Sequence, residues 1–335
     1  AFFHSLDKSQ MESAGAAPEA EPDAPGAPDD SQPVLEVKLI LVGNPTSGKT
    51  SLSRVLRRRP FNERENTTHG IQIREWMLDN ETLAELLPED APKVRLRVNI
   101  WDFGGQEYYH GTHQIFLDNN AVYLLLWEAS HNENGTKSTT VFLDGQATEL
   151  PMEHFEYTYW LDNIRFHASG ATSGEKPPLF VVQNKIDLPG TAVAMFDPKL
   201  LEQYAVTKVS GISAKLARSR KSTERRYRYG FEIFREDLVR VLYEKAQANA
   251  RLEHLPAAWV QIRRHIRDLR AGTVPSSNPF LSHIQENAWL TFEDFAAACR
   301  SANSGLTDPE VETLAYYLHQ IGAVVWLPHI DRKVY

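Results

Sequence analysis

The chain has 335 residues, 42% hydrophobic and 24% charged, which suits a globular protein of one large domain or two ordinary ones. No apolar run approaches the roughly 18 residues a membrane span requires. Net charge is -8, but residues 1–33 hold seven acids against Lys8 alone. The remainder is close to neutral and lacks the broad basic surface that nucleic acid binding demands, so no nucleic acid partner is expected. Cys299 is the sole cysteine, which excludes an intrachain disulfide and a thiolate metal cluster and favours a reducing, cytoplasmic setting. It reads as a small core residue of a helix.

The chain begins at Ala1 with no basic and apolar leader, so a piece cut from a longer protein is expected. Residues 13–33 are Ala, Pro, Gly and acid, too poor in large apolar groups to offset the entropy of ordering, and predict a linker. Residues 34–42 then switch to a β-rich apolar run, followed by a turn with Gly43 and Gly48 and a helix beginning near Gly48. Further strands are predicted at 71–78, 94–101, 121–127, 179–183 and 206–212. After Gly230, the spacing of Phe231, Phe234, Leu238 and Leu242 predicts an amphipathic helix on the sheet. Strands alternating with helices imply an α/β fold with a mostly parallel sheet.

Beyond about residue 252 helices follow one another, on Trp259, Ile262 and Ile266, then Phe292, Phe295 and Cys299, then Val311, Leu314 and Leu318. A short strand at 323–326 completes a smaller unit of winged-helix-like order. Two segments read as insertions: polar residues 131–149, and basic residues 217–229, the latter expected as a solvated mobile loop. No internal repeat is present.

Gly43-Asn44-Pro45-Thr46-Ser47-Gly48-Lys49-Thr50 has the Gly-x-x-x-x-Gly-Lys-Thr spacing of a phosphate-binding loop, between a strand and a helix. Such a loop turns backbone N–H groups inward around phosphates at the positive end of a helix. Lys49 is placed to reach the β- and γ-phosphates and Thr50 to ligate Mg²⁺, while the Ser51 N–H would serve the α-phosphate. The pattern arises by chance in roughly 1% of chains this long, so its fit between strand and helix carries weight.

Asn184-Lys185-Ile186-Asp187 follows an apolar strand, at the sheet edge where α/β folds bind ligands. The Asp187 carboxylate can accept both N1–H and the exocyclic amine of guanine, whereas adenine offers a bare acceptor at N1 and leaves the carboxylate unpaired. Asn184 is expected to brace the loop and base N7, the Lys185 stem to lie along the base, and a backbone N–H of Ser213-Ala214-Lys215 to meet guanine O6.

Asp102, at the end of the strand before Gly104 and Gly105, is expected to hold a water bound to Mg²⁺, and the Gly105 N–H to sense a γ-phosphate. Gln106 follows and can orient a water for in-line attack. Thr68 is the candidate second Mg²⁺ ligand, with adjacent Thr67 as the alternative. The spacing of His69, His110 and His113 fits no complete metal site. The elements together predict a Mg²⁺-dependent GTP-hydrolysing switch, with Lys49 and Gln106 as catalytic groups. A nucleotide-bound scaffold with negligible hydrolysis is the alternative, and Asp187 argues against an ATPase.

Gly43-Asn44 through Gly48-Lys49-Thr50-Ser51, Thr68-x-Gly70-Ile71, Trp101 to His110, Thr112-His113-Gln114-x-Phe116-Leu117 and Tyr159-Trp160-Leu161 together resemble the Roc domain of bacterial Roco proteins. The resemblance covers about residues 35–250. Leu255-Pro256-x-x-Trp259 and Leu318-His319-Gln320-Ile321-Gly322 look like the first half of the COR domain that follows Roc. The resemblance implies a Ras-like P-loop GTPase fold, then a small helical, winged-helix-like partial COR domain. The expected boundaries are a linker over 1–33, Roc over 34–251 and partial COR over 252–335. It also implies GTP and GDP as ligands, COR-mediated homodimerisation coupled to the nucleotide, and flanking leucine-rich repeats or a kinase.

Overall fold

A computed structural model describes residues 34–68, 71–87, 93–104, 117–168, 176–251, 262–266, 268, 289–327 and 331–334. The expected linker therefore lies outside the described residues. Strand β1 (Val34–Val42) alternates its side chains between two faces of a central sheet: Val37, Leu39 and Leu41 join one core, Ile40 and Val42 the other. Such near-continuous burial marks a strand covered on both sides. The sheet adds β2 (Ile71–Leu78), β3 (Arg95–Phe103), β4 (Ala121–Trp127), β7 (Leu179–Gln183) and β8 (Lys208–Gly211) in the order β2-β3-β1-β4-β7-β8. Every pairing is parallel except β2 with β3, which is antiparallel.

One face is covered by α1 (Lys49–Leu56) and α5 (Arg225–Arg251), through Leu52, Val55 and Leu56 and through Phe231, Phe234, Leu238 and Leu242. The other is covered by α3 (Tyr157–His167), through Trp160, Leu161 and Ile164. Each such side chain, fully buried, contributes roughly 1.5–3 kcal/mol relative to exposure. Two short helices, α2 (Asn80–Leu86) and α4 (Pro198–Gln203), are capped by Asp79 and Asp197, whose carboxylates accept from the Thr82 and Lys199 amides.

Both expected insertions differ from their sequence reading. Residues 135–154 form a hairpin, β5 (Gly135–Leu143) and β6 (Gln146–His154), turning at Asp144-Gly145 with both residues left-handed. Residues 217–229 are no loop throughout: a 3-10 turn at Ser222–Glu224 leads into α5, which starts at Arg225, ahead of Phe231 where the apolar spacing begins.

The C-terminal unit joins helical residues 262–266 to α6 (Phe292–Ala302), α7 (Asp308–Gln320) and a three-stranded antiparallel sheet, β10-β11-β9 (Trp326–Leu327, Asp331–Val334, Leu290–Thr291). The strand expected at 323–326 is thus displaced to Trp326–Leu327. Phe295, Cys299, Val311, Leu314, Leu318 and Trp326 form its core, with burial pushing the Cys299 thiol up to about 12. Thr291 caps α6 by accepting from the Asp294 amide, and Glu310 accepts from the Thr307 amide at the start of α7.

The turn after α7 docks on β3. Trp101 Nε1 donates to the Gly322 carbonyl at 2.9 Å and Asn99 Nδ2 to the Ile321 carbonyl at 2.6 Å. Lys38 Nζ lies 4.1 Å above the Trp101 ring and pairs with Asp118 at 2.7 Å, which explains a fully buried lysine in the middle of β1. Among the described residues no helix is long and apolar enough to cross a membrane.

Candidate functional site

At the carboxyl ends of β1, β3 and β7 lies a cavity of about 540 Å³, lined by the phosphate loop, residues 61–63 and 65–68, Asn184, Lys185, Asp187, Ala214 and Lys215. Its position follows from chain direction: parallel strands deliver their following loops to one edge. The loop leaves β1 and closes on α1, and Gly48 (φ 93°) must stay without a side chain, since a Cβ would sit 2.3 Å from Asn184 Nδ2. A Cβ on Gly43 would sit 1.9 Å from the Leu126 carbonyl oxygen.

Lys49 is buried, and its Nζ donates to the carbonyls of Gly43 and Asn44, each at 2.8 Å. Burial pulls its pKa down to about 8, opposed by the negative charge of Asp102. The Thr50 and Thr68 hydroxyls stand 2.9 Å apart. Thr67 instead has its amide donated to the Phe142 carbonyl, at 2.9 Å.

Strand β3 runs two residues further than its sequence suggests, so Asp102 lies within the strand, fully buried. Burial raises its pKa, opposed first by the polar Thr50 hydroxyl nearby, then by the charges of Arg74 and Lys49. Arg74 on β2 donates to Oδ2 at 3.2 Å, while Oδ1 is buried without a hydrogen-bond partner. A buried carboxylate oxygen left unpaired beside two hydroxyls is a donor set that fits a small oxygen-seeking cation. Among the described residues no cluster of three or more His, Cys, Asp or Glu offers a metal site of another kind.

Asn184 ties the two ends of the cavity together: Nδ2 donates to the Ser47 carbonyl at 2.9 Å and Oδ1 accepts from the Ala214 amide at 3.0 Å. Ser213 is buried, its hydroxyl accepting from the Leu216 amide at 3.1 Å. Lys215 pairs with Glu63 at 2.6 Å across the cavity mouth. Asp187 is half-buried on the wall.

Pro45, Thr46 and Ser51 line the cavity, but the Asn44 side chain turns away from it. Its Nδ2 donates to the carbonyls of His131 (2.8 Å) and Phe155 (2.7 Å), and its Oδ1 accepts from the Phe155 amide (3.1 Å) and Trp160 Nε1 (3.0 Å). All four hydrogen-bonding positions of the amide are engaged within the fold. Gly105, Gln106, His69, His110 and His113 lie outside the described residues.

Sequence reasoning missed several groups. Phe61, Phe142 and Met152 line the cavity. Glu128, buried after β4, holds Lys185 Nζ at 2.8 Å and His131 Nδ1 at 2.8 Å, so the lysine is anchored before any base arrives. The hairpin left one local mark in the sequence, Asp144-Gly145, a two-residue turn signal.

A phosphate loop, a buried aspartate at the end of β3 and an Asn-Lys-x-Asp run on a mostly parallel sheet define a Ras-like GTPase fold. Residues 38–187 match the family described as "Ras of Complex, Roc, domain of DAPkinase". The chain is 24% identical over 304 residues to the probable serine/threonine-protein kinase pats1 of Dictyostelium discoideum, covering 88% of this chain and 8% of that protein. It is 24% identical over 295 residues to a Roc-COR-CHAT protease of Runella zeae, covering 87% and 26%. The structure of Methanosarcina barkeri Roco2 RocCORdC bound to GDP superposes with a TM-score of 0.58 at 25% identity, over 90% of this chain and 73% of that one. Residues 38–187 thus match the Roc family, and over most of its length the chain is similar to Roc-COR proteins. It spans well under a third of the length of either protein relative.

Proposed function

We propose that this chain is the Roc-COR module of a longer protein, a switch that binds GTP with Mg²⁺ and hydrolyses it to GDP. The observation that carries this reading is the meeting of the Thr50 and Thr68 hydroxyls, 2.9 Å apart, beside buried Asp102 with its unpaired oxygen. These three residues would hold Mg²⁺, which when bound offsets charge developing on the phosphate oxygens.

Lys49 exchanges its bonds to the Gly43 and Asn44 carbonyls for the β- and γ-phosphate oxygens. The backbone N–H groups from Thr46 to Ser51 cradle the phosphates, and Asp187 takes the guanine edge. Lys185, fixed by Glu128, lies along the base face, and the amides of 213–215 serve O6. Gln106 orients the attacking water, and the Gly105 amide and Thr68 respond to the γ-phosphate. Residues 1–33 would be a linker, 34–251 the Roc domain and 252–335 the first part of COR, acting in the cytoplasm as a homodimer through COR in the full protein.

Single-turnover hydrolysis of GTP by wild type and Gln106→Leu tests this. A rate that falls at least 10-fold in the variant is expected, and the same near-zero rate in both favours a nucleotide-bound scaffold instead.

A further inference from the structure

The β5–β6 hairpin joins two parts of the cavity that sequence leaves unconnected. Its root is fastened to the phosphate loop, because Asn44 bonds His131 just before β5 and Phe155 just after β6. Asn132 and Asn134 add bonds from the amides of Tyr157 and Glu156, at 2.8 and 3.2 Å, which fix the root to the start of α3. Nine consecutive residue pairs from Gly135 with His154 to Leu143 with Gln146 then make a continuous ladder to the tip. One face of it packs inward: Thr139, Val141, Met152 and His154 are all buried.

At its far end the hairpin grips the segment that carries Thr68. The Phe142 carbonyl accepts from the Thr67 amide at 2.9 Å, and the Gly145 amide donates to Asn66 Oδ1 at 2.9 Å. In the same arrangement Thr68 is buried with its hydroxyl 2.9 Å from Thr50. Two hydrogen bonds to the hairpin ladder thus fix the residues that lead into Thr68.

We propose that the hairpin is a latch on the nucleotide site: Phe142 and Gly145 hold Asn66 and Thr67 so that Thr68 faces Thr50. The inference rests on the GTP-switch reading above and deepens it. Holding Thr68 keeps a ligand in place for the cation, and it keeps one wall of the cavity closed over the bound nucleotide. Asn66 is then a positioning residue for a group with which it makes no chemistry itself.

The test is the dissociation of a fluorescent GDP analogue from wild type, Asn66→Ala and Asn66→Asp at a series of Mg²⁺ concentrations. Asn66 is exposed, so neither change disturbs the core. Loss of one hydrogen bond in Asn66→Ala should speed release about fivefold at saturating Mg²⁺ and raise the Mg²⁺ concentration that half-maximally slows release. Asn66→Asp keeps an acceptor for Gly145 and should restore both values. Tight binding with unchanged release and an unchanged Mg²⁺ midpoint in Asn66→Ala overturns the latch and leaves the nucleotide reading standing. Failure of wild type to bind the analogue at all overturns both. Replacing residues 138–151 by a two-residue turn supplies a second variant, for which release faster than in Asn66→Ala is expected and wild-type release contradicts the proposal.

Discussion

Asn44 sits inside the phosphate-loop motif, yet its side chain makes four hydrogen bonds to the hairpin root and α3 and lies almost fully buried. Asn44→Ala removes all four and leaves two carbonyls, one amide and the Trp160 indole N–H without these partners. At about 1 kcal/mol per bond the loss is roughly 3–4 kcal/mol. For a domain of this size that lowers the melting temperature by about 6–15 °C. Asn44→Asp should be at least as damaging, since it turns a donor of two bonds into an oxygen facing the carbonyls of His131 and Phe155. Thermal unfolding without added nucleotide is the assay, because a staple acts whether or not a ligand is bound. Variants that melt like wild type but bind guanine nucleotides less tightly would refute the assignment of this side chain to the fold.

Asp187→Asn exchanges an acceptor for a donor and should cost guanine nucleotides at least 100-fold in affinity while improving xanthine nucleotides, measured by calorimetry. Gly322→Ala places a Cβ 2.6 Å from Trp101 Nε1 at a residue with φ of 78°, and should destabilise the docked C-terminal unit by roughly 2–3 kcal/mol. Gly305→Ala, with only ordinary contacts around it, is the control in denaturant titrations. His154 is buried and its pKa is lowered to about 4, first by burial and then by the charges of His131 and Lys137, with Lys185 adding to them and Glu128 opposing. Its folded pKa lies below its unfolded value, so the unfolded state binds the extra proton. Its contribution is complete above about pH 6.5 and is lost as pH falls toward 4, to a total of about 2–3 kcal/mol. A His154→Leu variant should show a flatter stability profile over that window in thermal melts.

Strands β1, β4 and β7 were legible to the residue, because burial on both faces writes them as apolar runs between turn residues, and the edge strand β2 through its β-forming Ile71, Ile73 and Trp76. The hairpin was not, because only alternate residues on one face are buried and its polar threonines read as a loop. The start of α5 was hidden for the same reason: Arg225, Arg226 and Arg228 are exposed on its first turn, where nothing apolar is needed. Within the site, the spacing of Gly43, Gly48 and Lys49 carried the cradle. It could not reveal that Asn44 faces the fold or that Glu128 anchors Lys185, since both depend on partners far along the chain. Asp102 was found from its strand end, but its pairing with Arg74 required the antiparallel placement of β2 beside β3.

The most direct measurement is competition for the cavity near Asp187 and the phosphate loop. The purified chain, loaded with labelled GDP in Mg²⁺, should release it to excess GTP or GDP and not to ATP at the same concentration. Displacement by ATP as readily as by GTP would contradict the guanine site on which the functional account stands.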